Sequence, residues 1–121
     1  MNKICTSIEQ SKKLIKLGIN VNTADMCYDW SVIGKEYSTV AQCRKYIDDE
    51  LPAWSLSALL ELIPDMIEDY ILRIDKVDGE YYIWYDKISE GWSDNMAHPS
   101  SENFIDAAFE MVVWLKENNK I

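Results

Sequence analysis

The chain has 121 residues, 48% of them hydrophobic, and twenty-one acidic side chains against twelve basic ones give it a formal net charge of −9. This length fits a single domain, and the apolar content with five tryptophans excludes a disordered chain despite the charge. No apolar run approaches the roughly 18–20 residues needed to cross a bilayer, and Met1-Asn2-Lys3-Ile4-Cys5-Thr6-Ser7 lacks the apolar stretch of a secretory signal. A cytoplasmic protein without a membrane partner is the expectation.

The charge is unevenly spread. Sixteen acids lie between Asp48 and Glu110, offset only by Arg73, Lys76 and Lys87, so that this stretch carries −13. Such a field biases which partners can approach. Direct nucleic-acid binding is disfavoured, because releasing counterions from phosphate needs a basic stripe and the only cluster is Lys12, Lys13 and Lys16. The cysteines Cys5, Cys27 and Cys43 are odd in number and form no C-x-x-C pair. They read as reduced, largely buried thiols, with a reactive thiol or one bridge as the lesser alternative.

Along the chain, Thr6-Ser7-Ile8-Glu9 has the spacing of a capping box and predicts a helix from about Ser7 to Leu17, closed by Gly18. Two strand-like runs, 28–33 and 36–40, flank Gly34-Lys35 as a hairpin, with Trp30 and Val32 sharing an inward face with Tyr37 and Thr39. Asp48-Asp49-Glu50 reads as a polar loop. Ser55 is placed to cap a buried helix reaching Ile63, stapled by Trp54 and Leu59 and stopped by Pro64.

The clearest local signal is Asp78-Gly79 between the runs 70–77 and 80–86, since Asp-Gly supplies the positive φ angles of a type I′ turn. Counting back from that turn puts Ile74 opposite Ile83 and Leu72 opposite Tyr85 on a core side. Arg73 then faces Trp84, and Asp75 faces Tyr82, on the other side. Residues 89–102 read as a long loop with a short edge strand near Trp92. Asn103 caps a last helix, with Asp106 at its third position and Ile105, Ala108, Met111, Val112 and Leu115 along its apolar side. The order helix, hairpin, helix, hairpin, helix implies an α+β domain: an antiparallel sheet of two hairpins, about four to five strands, packed by three helices.

The run Leu51-Pro52-Ala53-Trp54-Ser55-Leu56-Ser57-Ala58-Leu59-Leu60-Glu61-Leu62-Ile63-Pro64, the run Ile105-Asp106-Ala107-Ala108-Phe109-Glu110-Met111-Val112-Val113-Trp114-Leu115 and the opening 6–15 resemble a group of small proteins from gut Bacteroidales and their phages or mobile elements. The likeness spans most of the chain and keeps the order of segments. That group has no assigned activity or site residues, so the resemblance implies an intracellular, phage-related origin and no chemistry.

The chain offers little reactive machinery. His98, its only histidine, lies in the 89–102 loop with Glu90, Asp94 and Glu102, and Pro99 breaks any helix that would align them as metal ligands. There is no G-x-S-x-G, H-E-x-x-H or phosphate-cradling glycine loop, so neither a metal, a cofactor nor a catalytic residue is assigned. Carboxylate pairs of the glycosidase kind form in space rather than in sequence, and solvated acidic faces are the default.

A non-catalytic protein–protein interaction module is the leading expectation, with Arg73, Tyr82 and Trp84 as its contact residues, because Arg, Tyr and Trp most often dominate binding energy. The competing reading covers that face with the 89–102 loop, Trp92 packing over Trp84. The second expectation is an acidic inhibitor or DNA mimic of a basic partner, acting through Asp48, Asp49, Glu50, Asp65, Glu68 and Asp69. A small enzyme is the third. Oligomeric state is not legible.

Overall fold

The computed structural model describes residues 3–31, 36–42, 50–87 and 99–121. Its elements follow in the order α1 (Ile8–Lys16), β1 (Met26–Ser31), β2 (Glu36–Gln42), β3 (Glu50–Ala53), α2 (Leu56–Leu62), β4 (Met66–Ile67), β5 (Tyr70–Val77), β6 (Glu80–Lys87), β7 (Ser100–Ser101) and α3 (Phe104–Glu117). The class is α+β, and the helix–hairpin order holds. The two hairpins, however, lie in separate antiparallel sheets, ordered β2-β1-β3 and β4-β5-β6-β7. The chain divides correspondingly into two compact units, Met1–Ala58 and Leu59–Ile121, with the division inside α2.

In the first unit α1 starts one residue later than expected. Ser7 is the cap: the Gln10 amide donates to Ser7 Oγ (3.1 Å), and the Ser7 amide donates to Gln10 Oε1 (2.9 Å). Thr6 does not cap because its groups are committed elsewhere. Its amide donates to the Trp54 carbonyl (2.8 Å), its Oγ1 accepts from the Trp54 amide (3.0 Å), and that hydroxyl lies 2.7 Å from Ser11 Oγ. Thr6, Ser11 and Trp54 are all fully buried. At the other end Gly18 takes φ +90, its amide bonds Ile15 O (3.0 Å), and the Ile19 amide bonds Leu14 O (3.0 Å). These are the paired bonds that close a helix through a left-handed residue.

Strand β1 pairs with β2 from Ser31↔Glu36 to Met26↔Gln42, with a bulge between Met26 and Cys27. Trp30 therefore lies directly opposite Tyr37, two residues from the expected register, while Val32 and the Gly34-Lys35 turn fall outside the described residues. Strand β3 replaces the end of the expected polar loop at Glu50, in a segment where Pro52 weakens the strand signal. It pairs with β1 through Cys27↔Pro52 at the sheet edge, where a missing amide is tolerated. Trp54 follows, its indole N–H donating to Thr23 Oγ1 (2.9 Å). Ser55 caps α2 as expected, accepting from the Ala58 amide (3.2 Å), and Asp25 in turn holds the Ser55 amide (2.8 Å) and hydroxyl. The expectation of three reduced thiols does not hold: Cys5 is free and buried, Cys27 is engaged in a disulfide, and Cys43 lies outside the described residues. Linear spacing carries no information on which segments an antiparallel ladder brings together.

In the second unit β5 and β6 pair from Tyr70↔Lys87 to Val77↔Glu80. This is the register expected from Asp78-Gly79, whose φ values are +52 and +81. Short strands flank the hairpin: β4 pairs with β5 through Met66↔Ile71 and Ile67↔Tyr70, and β7 pairs with β6 through Tyr81↔Ser101 and Tyr82↔Ser100. Helix α3 packs on β6 and β7. Asn103 accepts from the Asp106 amide (3.2 Å) at its start, and Asn119 at φ +56 closes its end, with the Lys120 amide on Leu115 O (2.8 Å). Tyr81 stacks on Phe104 with ring centroids 4.6 Å apart. Ile83 and Tyr85 are fully buried, which for Ile83 contributes about 1.5–3 kcal/mol. Ile74, expected in this core opposite Ile83, is instead 43% exposed. The helix lies over β6 and β7, so β5 sits at the rim.

Candidate functional site

The two-residue turn at Asp78-Gly79 fixes which side chains share a face of β5–β6. Ile71, Arg73, Asp75 and Val77 lie on the side away from Ile83 and Tyr85, opposite Asp86, Trp84, Tyr82 and Glu80 respectively. The structure thus brings Arg73, Tyr82 and Trp84 together: Arg73 is directly across from Trp84, and Tyr82 is two residues along the same strand. Tyr82 and Trp84 are half-buried and Arg73 is exposed.

Asp86 organises this face. The Trp84 indole N–H donates to Asp86 Oδ1 (2.7 Å), and Arg73 Nε lies 3.7 Å from Asp86 Oδ2. The contact runs through Nε, and 55% of the Arg73 side chain stays exposed. A surface pair of this kind contributes about 0–1 kcal/mol, so the group that Asp86 fixes is the Trp84 indole, with the guanidinium lying beside it. Sequence reasoning misses Asp86 as a site residue, although its place two residues after Trp84 puts it on the same face. Glu80 is the other addition. Its carboxylate raises the Tyr82 pKa above that of a free phenol, first by repelling the phenolate and then by accepting the phenol's hydrogen bond; slight burial and Asp78 act in the same direction. The face therefore presents two rings and one guanidinium among the carboxylates of Asp75, Glu80 and Asp86.

The acidic candidates separate. Asp65, Glu68 and Asp69 are exposed around β4 and its connection to β5, with Glu68 held at φ +53. Glu50 begins β3, and Asp48 and Asp49 lie outside the described residues, as do His98, Glu90, Asp94 and Trp92. The division into units redistributes the charge: residues 59–121 hold fourteen acids against five bases, while residues 1–58 hold seven of each. The whole net charge belongs to the unit that carries the hairpin face.

Among the described residues no group of three or more His, Cys, Asp or Glu side chains is placed to hold a metal ion, and no helix is long and apolar enough to cross a membrane. Comparison of the chain with family models, curated proteins and solved structures finds no match.

Proposed function

We propose that this protein is a non-catalytic binding module that contacts a protein partner through Arg73, Tyr82 and Trp84 on the outward face of β5–β6. One observation carries the reading: two large rings stay part-exposed on a sheet face, beside a guanidinium 3.7 Å from the same Asp86 that holds the Trp84 indole. The Trp84 ring, already fixed by its bond to Asp86, loses little further freedom on binding, and Arg, Tyr and Trp are the residue types that most often concentrate binding energy. The test is affinity capture from a gut Bacteroidales lysate, with and without phage infection, using the wild-type chain and the Trp84→Ala and Tyr82→Ala variants. Loss of a captured protein from both variants, with circular dichroism unchanged, supports the assignment. Undiminished capture by both refutes it. The host and its phages enter through the sequence resemblance alone.

The confinement of the net charge to residues 59–121 favours a second reading, an acidic inhibitor or DNA mimic that occupies a basic partner. Asp65, Glu68 and Asp69 would supply part of that surface. Partner binding that falls steeply between 50 and 200 mM salt, as expected on the order of the loss seen for phosphate contacts, together with loss on neutralising these three, separates it from the hairpin reading.

A further inference from the structure

Polar backbone groups of successive strand residues face opposite edges. In β5 the Leu72 amide donates to Asp65 O (2.9 Å), and Tyr70 pairs with Ile67, so the backbone groups of residues 70, 72, 74 and 76 point away from β6. β4 occupies this edge only as far as Leu72. From Arg73 to Val77 the edge has no neighbouring strand among the described residues. The Lys76 amide is turned onto Asp75 Oδ1 (2.8 Å). The Ile74 amide and carbonyl are left facing outward, with no partner among the described residues.

Natural sheets blunt such edges with charge, proline or a bulge. The open stretch here carries charge at Arg73, Asp75 and Lys76, but its two apolar residues, Ile74 and Val77, are 43% and 48% exposed. These side chains point to opposite faces, so a chain laid along the edge would meet an apolar neighbour on each. Asp75 lies between them, across from Tyr82, with Asp78 and Glu80 at the tip. A second copy of this chain would bring a unit with fourteen acids and five bases against the same edge and be repelled.

We propose that an extended basic segment of another protein adds as a further antiparallel strand along β5 at Ile74–Lys76. The proposal rests on the binding-module reading and specifies how the partner is held. The partner residue opposite Ile74 exchanges both backbone hydrogen bonds with it and is apolar. The partner residue opposite Asp75 is Lys or Arg, paired with that carboxylate and directed toward the Tyr82 ring. Main-chain bonds supply the docking, and alternate side chains supply the selectivity.

The probe is a decapeptide of alternating valine and lysine, titrated by fluorescence anisotropy at low salt. Three comparisons accompany it: the alternating valine–glutamate peptide, the valine–lysine peptide with N-methylated valines, and the Ile74→Pro variant. Proline at 74 removes only an outward amide and is compatible with an edge strand. The N-methylated peptide blocks the same bonds without altering the protein. We expect saturable binding of the valine–lysine peptide, weakened at least about tenfold by either change, the effect of losing one or two hydrogen bonds, and no binding of the glutamate peptide. Equal affinity for the methylated and unmethylated peptides overturns the proposal, as does a dimer of the free protein that Ile74→Pro dissolves. Capture lost by Trp84→Ala and kept by Ile74→Pro overturns strand addition while leaving the hairpin face as the contact. Capture and peptide binding lost by Ile74→Pro but kept by Trp84→Ala and Tyr82→Ala support strand addition and refute that face.

Discussion

Replacing Tyr85 by phenylalanine tests the packing of the second unit through the pH dependence of its stability. Tyr85 is fully buried, and its hydroxyl donates to the Pro64 carbonyl (2.6 Å). Burial, and secondarily the Asp65 carboxylate, push its pKa from the usual 10.0 up to about 12. A group whose folded pKa is raised stabilises the fold fully below its unfolded pKa, and that stabilisation is lost as pH climbs through the folded value. The window is therefore pH 10 to 12, and the wild type sheds about 2–3 kcal/mol across it, roughly 1.4 of them by pH 11. At neutral pH Tyr85→Phe costs about 1–2 kcal/mol, the deficit of a part-buried carbonyl left without its donor. The two effects oppose each other. Urea unfolding followed by far-ultraviolet circular dichroism should show the wild type ahead at pH 7, the gap nearly closed at pH 11, and the variant level or ahead near pH 12. A gap that stays constant from pH 7 to 11 would refute the buried, hydrogen-bonded phenol.

Three further outcomes follow from the first unit and from α3. Thr6→Val removes the hydroxyl shared by Ser11 and the Trp54 amide and should cost about 2–3 kcal/mol in urea unfolding, whereas Thr6→Ser, which keeps the oxygen, should cost clearly less. Gly18→Ala forces a Cβ into φ +90, for which a loss of about 1 kcal/mol is expected, while Asn119→Gly, at φ +56, should be neutral or slightly stabilising. With Cys27 in a disulfide and Cys5 free, the denatured chain should take up alkylating reagent at one thiol without reductant and at three after reduction, read by intact mass. Three alkylations without reductant would contradict the bond.

Much of the candidate site is legible in the sequence, because a two-residue turn sets strand register by counting. Asp78-Gly79 alone places Arg73 opposite Trp84 and Asp75 opposite Tyr82, as the ladder confirms. Counting does not reveal that Asp86 binds the Trp84 indole and lies beside Arg73, nor that the bonding along the β4 edge of β5 ends at Leu72 and leaves Ile74 on an open edge. Those facts depend on rotamers and on where neighbouring strands end.

Local chemistry is decisive wherever a signal acts within about four residues. The Asn103 cap, the Gly18 stop, the Ser55 start and the Asp-Gly hairpin each satisfy or release backbone groups of their own segment, so composition is enough to locate them. Distant partners decide the rest. Thr6 surrenders the cap to Ser7 because Trp54, forty-eight residues away, claims its hydroxyl. The segment 50–53 becomes a strand because β1 offers an edge, and Ile74 stays exposed because α3 settles over β6 and β7. A side chain's own neighbours set its conformational preference, but its burial and its hydrogen-bond partners are settled by whichever remote segment packs against it, and spacing along the chain carries no record of that choice.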